Sequence, residues 1–387
     1  MYEKETKLIE GMYPEILKVA EEVTGFCRGS MYLPGLAQTA AYLTEKMKQL
    51  GCEVEEQPDA KYGSTLIFRK KGRGKMKVLF YAHMDTVWKD PACQEPFRIE
   101  GGRAYGAGIS DCTHGLLASI YTLKALNALG MDNYGELIIV FNPDEEETSP
   151  SSSKWLKEYS RDMDLAICME GPEAADLYTT ARAGSAYYEI RISGKMAHAG
   201  VNPEEGANAL EEMTFKLNEI LQKKFNDVYL VLTWIKGGSG DCCVSDNAYA
   251  MLRYRIKTWD AKPEIDAYLK EMEGKTFVPG TSTSITFWPE GGFGPMPRLP
   301  WVDKFAKIVD TVSAELNYPL HEGYGWGGCD AASTVLNCPT LDGIAPATFG
   351  CHMHGENLLL ESIVPRITIL TVLMEKVCSD DQYLRER

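Results

Sequence analysis

A histidine and an aspartate of this chain stand where a buried strand is expected to end. The apolar run over residues 78–82 stops at His83, and Asp85 follows two residues later. Such a run is typical of a strand buried on both faces, and open parallel sheets carry their chemistry just beyond the carboxyl ends of their strands. A neutral imidazole binds zinc through one nitrogen while a carboxylate commonly holds the other. We therefore interpret His83 as a metal ligand oriented by Asp85, although a turn histidine is an equally good interpretation of these residues alone.

Further candidate ligands follow other predicted strands or a glycine-rich turn. The turn over residues 106–111 ends in an aspartate, and the other candidates follow apolar runs over residues 137–141, 165–169 and 340–344. The resulting set of imidazoles and carboxylates is His83, Asp111, Glu146, Glu170 and His352. Because carboxyl ends of parallel strands meet at one edge of a sheet, we expect these side chains to lie together.

This set suits a pair of zinc ions. Asp111 would bridge both ions. His83 and Glu170 would complete one site, and Glu146 and His352 the other. Carboxylates and imidazoles suit zinc, and manganese or cobalt could substitute because protein sites discriminate poorly by affinity alone. Two metals roughly 3.5–4 Å apart can polarise a carbonyl and hold a hydroxide at once.

Glu145 is left over from the ligand set. At a strand end with alternating side chains it would point away from its neighbour Glu146, so it can take a proton from metal-bound water and deliver it to a leaving amine. A solvated acidic turn is the commoner explanation for a stretch such as residues 144–147. The position of this stretch directly after a buried strand favours catalysis.

Length and composition narrow the class of protein. At 387 residues and 43.1 kDa, the chain exceeds the roughly 250–300 residues over which one hydrophobic core keeps growing, so two domains are expected. The net charge of −15 argues against nucleic acid or an anionic membrane as the main partner. No signal sequence or membrane span is indicated, so we predict a cytoplasmic protein. The 11 cysteines form no CxxC pair, so no thiolate zinc site or disulfide framework is indicated.

The order of predicted elements gives the domain organisation. The first part of the chain alternates helices (residues 6–23, 36–50 and 116–129) with strands (64–69, 78–82, 137–141 and 165–169). From residue 186 the order becomes βαββαβ, over residues 186–192, 206–224, 228–236, 247–257, 263–273 and 282–288. A helix (301–316), a strand (340–344) and a last helix (364–377) restore the first pattern. We predict an α/β domain with a mostly parallel central sheet over residues 1–181 and 294–387, interrupted by a ferredoxin-like domain over 182–293.

An ordered set of motifs spans nearly the whole chain. The motifs are His83-Met84-Asp85-Thr86-Val87, Gly106-Ala107-Gly108-Ile109-Ser110-Asp111, Asp144-Glu145-Glu146, Met169-Glu170-Gly171-Pro172, Ser193-Gly194-Lys195-Met196-Ala197-His198-Ala199-Gly200, Gly206-Ala207-Asn208-Ala209-Leu210, Gly327-Gly328-Cys329-Asp330-Ala331-Ala332, and His352 with Glu356. With them the chain resembles the aminoacylase/carboxypeptidase G family of dinuclear zinc metallopeptidases, most closely its glutamate carboxypeptidase branch.

The resemblance implies a zinc-peptidase-like catalytic domain with the metal roles assigned to the five ligands, Asp85 as the orienting group and Glu145 as the general base. It also implies that the inserted domain is a lid and dimerisation domain, and hence that the protein is a homodimer. His198 matches the histidine that reaches into the neighbouring subunit's site to stabilise an oxyanion. Without the resemblance, His198 would be taken for a turn residue.

Three further residues match substrate-binding positions of the family. They are Asn208, Arg255 and Gly328. For Asn208, helix capping is the alternative role. Arg255 would bind the substrate carboxylate with its guanidinium fork, although Arg253 could serve after a small shift in alignment, and either side chain could simply be solvated.

The chain also departs from the family at several positions. Thr113 stands where a lysine is common, Cys242 replaces an asparagine, and Arg253 replaces an aspartate. For the last ligand, the spacing to the following residues favours His352, with His354 as second choice. None of these departures affects a proposed ligand or Glu145, so they bear on specificity more than on catalysis.

We therefore predict a metal-dependent hydrolase that acts on a small peptide or N-acyl amino acid and cleaves an amide bond next to a free carboxylate, through zinc-bound hydroxide with Glu145 as base. An N-acyl amino acid deacylase or a di- or tripeptidase is the alternative on the same site. A catalytically silent relative that binds a peptide or amino acid is the alternative of another class. A dinucleotide-binding oxidoreductase is disfavoured because Asp111 stands where that fingerprint has its third glycine.

Overall fold

The protein is described by a computed structural model that covers residues 2–289 and 292–385. The chain divides into two compact units. Unit 1 takes the described residues of Met1–Ala181, Arg298–Gly325 and Cys329–Arg387. Unit 2 takes those of Arg182–Pro297 and Trp326–Gly328, so it extends slightly beyond the predicted end at residue 293 and includes a short later segment.

Helices and strands alternate along most of the described chain. The helices are α1 (Glu3–Thr24), α2 (Leu33–Gln49), α3 (His114–Leu129), α4 (Ser153–Ser160), α5 (Ala209–Gln222), α6 (Lys262–Gly274), α7 (Asp303–Glu315) and α8 (Ile363–Cys378). The strands are β1 (Glu53–Gln57), β2 (Thr65–Lys71), β3 (Lys77–His83), β4 (Arg98–Glu100), β5 (Arg103–Tyr105), β6 (Glu136–Asn142), β7 (Leu165–Cys168), β8 (Leu177–Arg182), β9 (Gly184–Ser193), β10 (Ala197–His198), β11 (Val228–Gly237), β12 (Cys243–Val244), β13 (Asn247–Ile256), β14 (Ser282–Trp288), β15 (His321–Gly325), β16 (Thr340–Leu341), β17 (Thr348–Phe349) and β18 (Asn357–Leu359).

Unit 1 is built on a mixed, mostly parallel sheet, which confirms the predicted fold class. The strand order is β1-β2-β6-β3-β7-β16. β6, β3, β7 and β16 run parallel, whereas β1 and β2 pair antiparallel at one side. The register sets His83 opposite Asn142 and Tyr81 opposite Cys168. The segments that follow β3, β6 and β7 therefore leave the sheet at the same edge.

Both faces of β3 are covered, which explains its uninterrupted apolar sequence. Val78, Phe80 and Ala82 contribute to a core that also contains apolar side chains of α1, α3, α7 and α8. Leu79 and Tyr81, which alternate with them, are equally buried. A strand buried on both faces cannot slip by one residue without displacing His83, so packing fixes the position of this side chain.

The strand predicted over residues 340–344 is shorter than expected. β16 covers Thr340–Leu341, and Gly343 follows with a φ of +66°, a left-handed conformation that turns the chain out of the sheet. The chain then enters β17 and β18, which belong to a second sheet of unit 1 with the order β17-β18-β5-β4. The short strands of this second sheet were not predicted from the sequence.

The longer elements of unit 2 follow the βαββαβ order predicted from the sequence, and the two-residue strands β10 and β12 form a separate pair. The larger antiparallel sheet of unit 2 has the order β11-β13-β9-β14. Even-numbered apolar residues of β9 and β13, such as Ile190 and Leu252, pack with α5 and α6 through residues such as Met213 and Leu269. The odd-numbered residues of β9 and β13 form the opposite face. β11 is an edge strand of this sheet.

Among the described residues, none of the helices is both long and apolar enough to cross a membrane.

Candidate metal centre

His83 and two carboxylates converge beyond the carboxyl end of β3. His83 is the last residue of this strand and is only 1% exposed. Its Nε2 atom lies 2.7 Å from Asp111 Oδ1 and 3.7 Å from Glu170 Oε1. Glu170 comes two residues after the end of β7, and Asp111 lies in the turn before α3. Three separate elements of unit 1 therefore bring these ligand atoms together.

A second group forms on the other oxygen of the same aspartate. His352 Nε2 lies 3.0 Å from Asp111 Oδ2 and 3.1 Å from Glu146 Oε2. In each group the ligand atoms lie within 4.8 Å of one another. Asp111 thus presents one oxygen to each group, which is the arrangement of a carboxylate that bridges two cations.

The donor chemistry of these groups fits two divalent cations. Glu146 Oε1 is buried and has no hydrogen-bond partner among the described residues. This carboxylate oxygen is therefore available to bind a cation. Cys112 lies close to His83 and Glu170, but burial raises the pKa of its thiol to about 12. Burial therefore disfavours the thiolate form that would bind a metal. The favoured ligands are therefore the imidazoles and carboxylates, and zinc, manganese and cobalt all bind such ligands.

The titration behaviour of the cluster reflects its excess of carboxylates. Burial raises the pKa of Asp111, but hydrogen bonds with His352 and His83 outweigh burial and hold this pKa well below its usual range. Hydrogen bonds to Asp111 and Glu146 raise the pKa of His352 to about 10. Positive charge between these carboxylates is therefore strongly stabilised, and a divalent cation would supply it in place of a proton.

Asp85 holds both His83 and the loop that carries the glutamates. Its carboxylate is fully buried, and His83 Nδ1 lies 3.1 Å from the backbone carbonyl oxygen of Asp85 and 3.3 Å from Oδ1 of its carboxylate. The same carboxylate accepts the backbone N–H of Glu145 at 3.0 Å and that of Glu146 at 3.2 Å. Ser30 donates its hydroxyl to Oδ2 at 2.8 Å. Besides the contact with His83 on which the predicted orienting role depends, Asp85 thus makes a second contact, to the glutamate loop, that the sequence did not reveal.

Glu145 lies on a single helical turn, Glu145–Glu147, rather than on a continuation of β6. It differs in direction from Glu146 because residues rotate by roughly 120° in such a turn, not because strand side chains alternate. Glu145 is 8% exposed. Burial raises its pKa well above the ordinary value, His83 opposes the shift, and the charges of Glu170 and Glu146 add to it.

Two residues around the turn of Asp111 had no role predicted from the sequence, although Glu356 was among the family motifs. Glu356 accepts the backbone N–H of Gly108 at 2.6 Å and also binds Ser110 and Trp88. The buried Arg28 donates to the carbonyl of Gly108 at 2.8 Å and to the hydroxyl of Thr113.

The two candidate histidines of the last ligand position lie in different surroundings. His352 faces Asp111 and Glu146 of the acid cluster. His354 Nδ1 instead lies 3.0 Å from Glu95, and its ring packs against Trp88 with centroids 4.9 Å apart. The geometry therefore favours His352 as the ligand. The hairpin of β17 and β18 carries it, rather than a strand of the central sheet.

His198 lies in unit 2 on β10, which pairs with β12. The residue is exposed, and its Nδ1 accepts the backbone N–H groups of Gly200 and Val201 at 3.1 and 3.2 Å. Because Nδ1 is an acceptor, the proton of the neutral ring sits on Nε2. The side chain thus offers an N–H donor, as the predicted oxyanion role requires.

The predicted substrate-binding residues also lie in unit 2. Arg253 and Arg255 point to the same face of β13, opposite Val231 and Tyr229 of β11, so position does not separate them. Asn208 caps α5 by accepting the backbone N–H groups of the next turn, which is the alternative role expected for it. For Gly328, an added Cβ would approach a neighbouring Cβ to 3.0 Å, so the backbone runs close to other atoms there.

A family model described as Peptidase family M20/M25/M40 matches residues 79–376. The chain therefore belongs to this family of metallopeptidases and amidohydrolases, and it is a hydrolytic enzyme. The family resemblance inferred from the motifs is confirmed.

Curated relatives match most of the chain. Carboxypeptidase G2 of Pseudomonas sp. (strain RS-16) is 28% identical over 369 residues, which cover 91% of this chain and 86% of the relative. An acetylornithine deacetylase of Aliivibrio fischeri is 27% identical over 376 residues, covering 89% of this chain and 92% of the relative.

Solved structures share the fold. The aminopeptidase PepT from Bacillus cereus superposes with a TM-score of 0.79 at 18% identity, covering 94% of this chain and 98% of that one. An M20 family metallo-carboxypeptidase from Sulfolobus solfataricus gives a TM-score of 0.74 at 16% identity, with 93% and 98% covered.

Proposed function

We propose that the chain is a dinuclear metal-dependent carboxypeptidase of the glutamate-carboxypeptidase type, which cleaves an amide or peptide bond next to a free carboxylate. The observation that carries this proposal is the position of Asp111. Its two carboxylate oxygens face two separate groups, each made of an imidazole and a carboxylate. Two divalent cations held there, with zinc as the first choice for these ligands, would polarise the scissile carbonyl and acidify a water molecule.

Glu145 is the proposed proton carrier. It is buried beside the ligands, and its raised pKa favours accepting a proton from the attacking water. It then delivers that proton to the leaving nitrogen. Asp85 fixes Glu145 indirectly, because the backbone N–H groups of Glu145 and Glu146 both bind its carboxylate. The proton carrier and the ligand Glu146 therefore share one anchor with His83.

The proposed substrate class follows from the arginines of β13 and from carboxypeptidase G2 among the relatives. Either Arg255 or Arg253 offers a guanidinium fork that can bind a terminal carboxylate bidentately. Asn208 and Gly328 are proposed substrate contacts only by analogy with the family. For Asn208 the capping oxygen is engaged, and its Nδ2 atom also donates to Glu211 at 3.0 Å, so a role in binding would have to displace that contact.

An N-acyl amino acid deacylase is the second candidate. The match to acetylornithine deacetylase covers nearly the same share of the chain, at nearly the same identity, as the match to carboxypeptidase G2. A panel of C-terminal glutamate conjugates, N-acyl amino acids and short peptides separates the two. A kcat/KM highest for N-acyl amino acids would favour the deacylase.

We also propose that the protein is a homodimer formed through unit 2. β11 is an edge strand with exposed apolar side chains: Tyr229 (56%), Val231 (53%), Trp234 (61%) and Ile235 (54%). Exposed apolar edge strands favour pairing with a second strand. Antiparallel pairing of two copies of β11 around a twofold axis would cover these side chains and continue the sheet.

This pairing would also support the proposed role of His198 in the neighbouring subunit. In such a pair, the end of one β11 lies beside the beginning of the other. A short loop connects the end of β11 to β12, and β12 pairs with β10, the strand that carries His198. Near the beginning of β11, Tyr229 packs edge-to-face on Trp326 with centroids 5.0 Å apart, two residues before Gly328. His198 of one subunit would thus approach the segment of Gly328 in the other.

The Glu145→Gln variant tests the mechanism. The amide keeps the shape of the side chain but cannot accept the proton, so we expect turnover to fall by about 10²–10⁴-fold while metal content stays unchanged. Hydrolysis at the wild-type rate would contradict the mechanism. Wild-type protein that holds its metals but hydrolyses no member of the panel would instead favour a silent binding protein.

A further inference from the structure

We propose that Arg28 is a positioning residue that sets the distance between His83 and the bridging Asp111, and so controls how tightly the chain holds its metal pair. This inference rests on the proposed function, because it concerns the same two cations. Arg28 is completely buried in the segment between α1 and α2, far in sequence from every proposed ligand.

The guanidinium of Arg28 joins the two loops that carry these ligands. Nη1 donates to the carbonyl of Met84 at 2.6 Å, in the loop between His83 and Asp85. Nη2 donates to the carbonyl of Gly108 at 2.8 Å and to the Thr113 hydroxyl, which lie on either side of Asp111. One rigid planar group therefore links the loop after β3 with the turn before α3.

The backbone around Arg28 strengthens this link. Thr86 donates its N–H to the carbonyl of Arg28 at 3.1 Å, and Ser30 donates its N–H to the carbonyl of Thr86 at 2.9 Å. At Gly108, where φ is +71°, an added Cβ would lie 2.6 Å from Nη2 and 2.4 Å from Thr86 Cγ2. The turn of Asp111 thus approaches the guanidinium as closely as a residue without a side chain allows.

Arg28 also contributes charge. Burial lowers its pKa, and the nearby carboxylates of Glu356, Asp85 and Asp111 oppose that shift. Within residues 2–289 and 292–385, its hydrogen bonds go to carbonyl and hydroxyl oxygens, not to carboxylates. The cation therefore lowers the repulsion among the site's carboxylates without occupying their oxygens, which stay available to metals.

The test compares Arg28→Met with wild type in metal binding as well as catalysis. Zinc dissociation constants are measured by competition with a chromogenic chelator, the Co²⁺ absorption spectrum reports ligand geometry, and kcat and KM follow for the best panel substrate. We expect zinc affinity to fall about 10–100-fold, the Co²⁺ spectrum to change, and kcat to fall with KM little altered. Wild-type zinc affinity in a folded Arg28→Met protein would overturn the inference.

Two further variants separate positioning from general stability. Arg366→Met removes another fully buried arginine, which donates to four backbone carbonyls of unit 1. We expect it to lower Tm without changing zinc affinity, and an equal loss of affinity would overturn the specific role of Arg28. Should Arg28→Met fail to fold, Arg28→Lys decides, because it keeps the positive charge but replaces the rigid planar fork, which binds the Met84 and Gly108 carbonyls through separate nitrogens, with a single flexible ammonium. Wild-type zinc affinity in Arg28→Lys would overturn the need for the fork.

Failure of this inference is distinguishable from failure of the proposed function. Wild-type protein that takes up no pair of divalent cations would overturn the proposed function itself. Wild-type protein that binds two, together with an Arg28→Met variant that binds them equally well, would overturn only the role of Arg28.

Discussion

The substitution Asp85→Asn tests whether one carboxylate anchors both the ligand histidine and the glutamate loop. The amide has the same shape but offers one acceptor oxygen and one NH₂ group. If the NH₂ group takes the place of Oδ2, it faces the Ser30 hydroxyl, which can rotate to accept, and the N–H of Glu146, which loses its acceptor. If it takes the place of Oδ1, it faces the N–H of Glu145 and the ring nitrogen of His83. The first orientation is the less costly.

The expected cost follows from that orientation. Losing one hydrogen bond to a charged acceptor and leaving one N–H without a partner destabilises the fold by about 2–4 kcal/mol. The loss of the carboxylate behind His83 should also weaken zinc binding by about 10–100-fold. Urea unfolding of metal-free protein measures the first effect, and competition with a chromogenic chelator measures the second.

A control comes from unit 2, where Glu212 is fully buried and accepts the backbone N–H groups of Phe277 and Val278 at 2.8 and 2.6 Å. Glu212 also pairs with the fully buried Lys216 at 3.1 Å, so Glu212→Gln should lower stability by at least as much as Asp85→Asn, while zinc affinity stays at the wild-type value. The reasoning about Asp85 would be refuted by an Asp85→Asn protein within about 0.5 kcal/mol of wild type, the range of ordinary surface substitutions, and with unchanged zinc affinity.

Two further predictions concern the metal ligands and the assembly. His352→Ala should lose one of the two proposed metals, whereas His354→Ala should retain both. Metal analysis of the purified variants measures this, and the reverse pattern would make His354 the ligand. Trp234→Lys places a charge on the exposed edge of β11, and we expect light scattering to show a monomer. A dimer as stable as that of the wild type would show that the interface lies elsewhere.

The sequence was sufficient to find the ligands that follow parallel strands. His83, Glu146 and Glu170 follow β3, β6 and β7, whose apolar runs are long enough to be recognised and whose parallel order brings their ends to one edge. His352 was found by the spacing of a known family, because the hairpin that carries it is made of two- and three-residue strands with no apolar periodicity. Glu145 was predicted to point away from Glu146 because strand side chains alternate. In the structure the two side chains diverge because they lie on a single helical turn.

The residues that join these ligands could not have been found in the same way. Arg28 acts on loops 56 and 80 positions away in the sequence. Its sequence context, Cys27-Arg28-Gly29, carries no pattern that distinguishes a buried arginine from a solvated one. The role of such a residue depends on contacts that form only after the helices and the sheet have packed.

The buried joining residues explain how ligands from such distant segments reach one centre. Asp85 ties the end of β3 to the glutamate loop, Arg28 ties the loop after β3 to the turn of Asp111, and Glu356 ties the hairpin segment after His352 to the same turn. Each tie is a charged group buried among backbone N–H or carbonyl groups, so it is directional and costly to break. Removing a tie should therefore lower metal affinity while every ligand remains present, a result that the ligand positions alone would not predict.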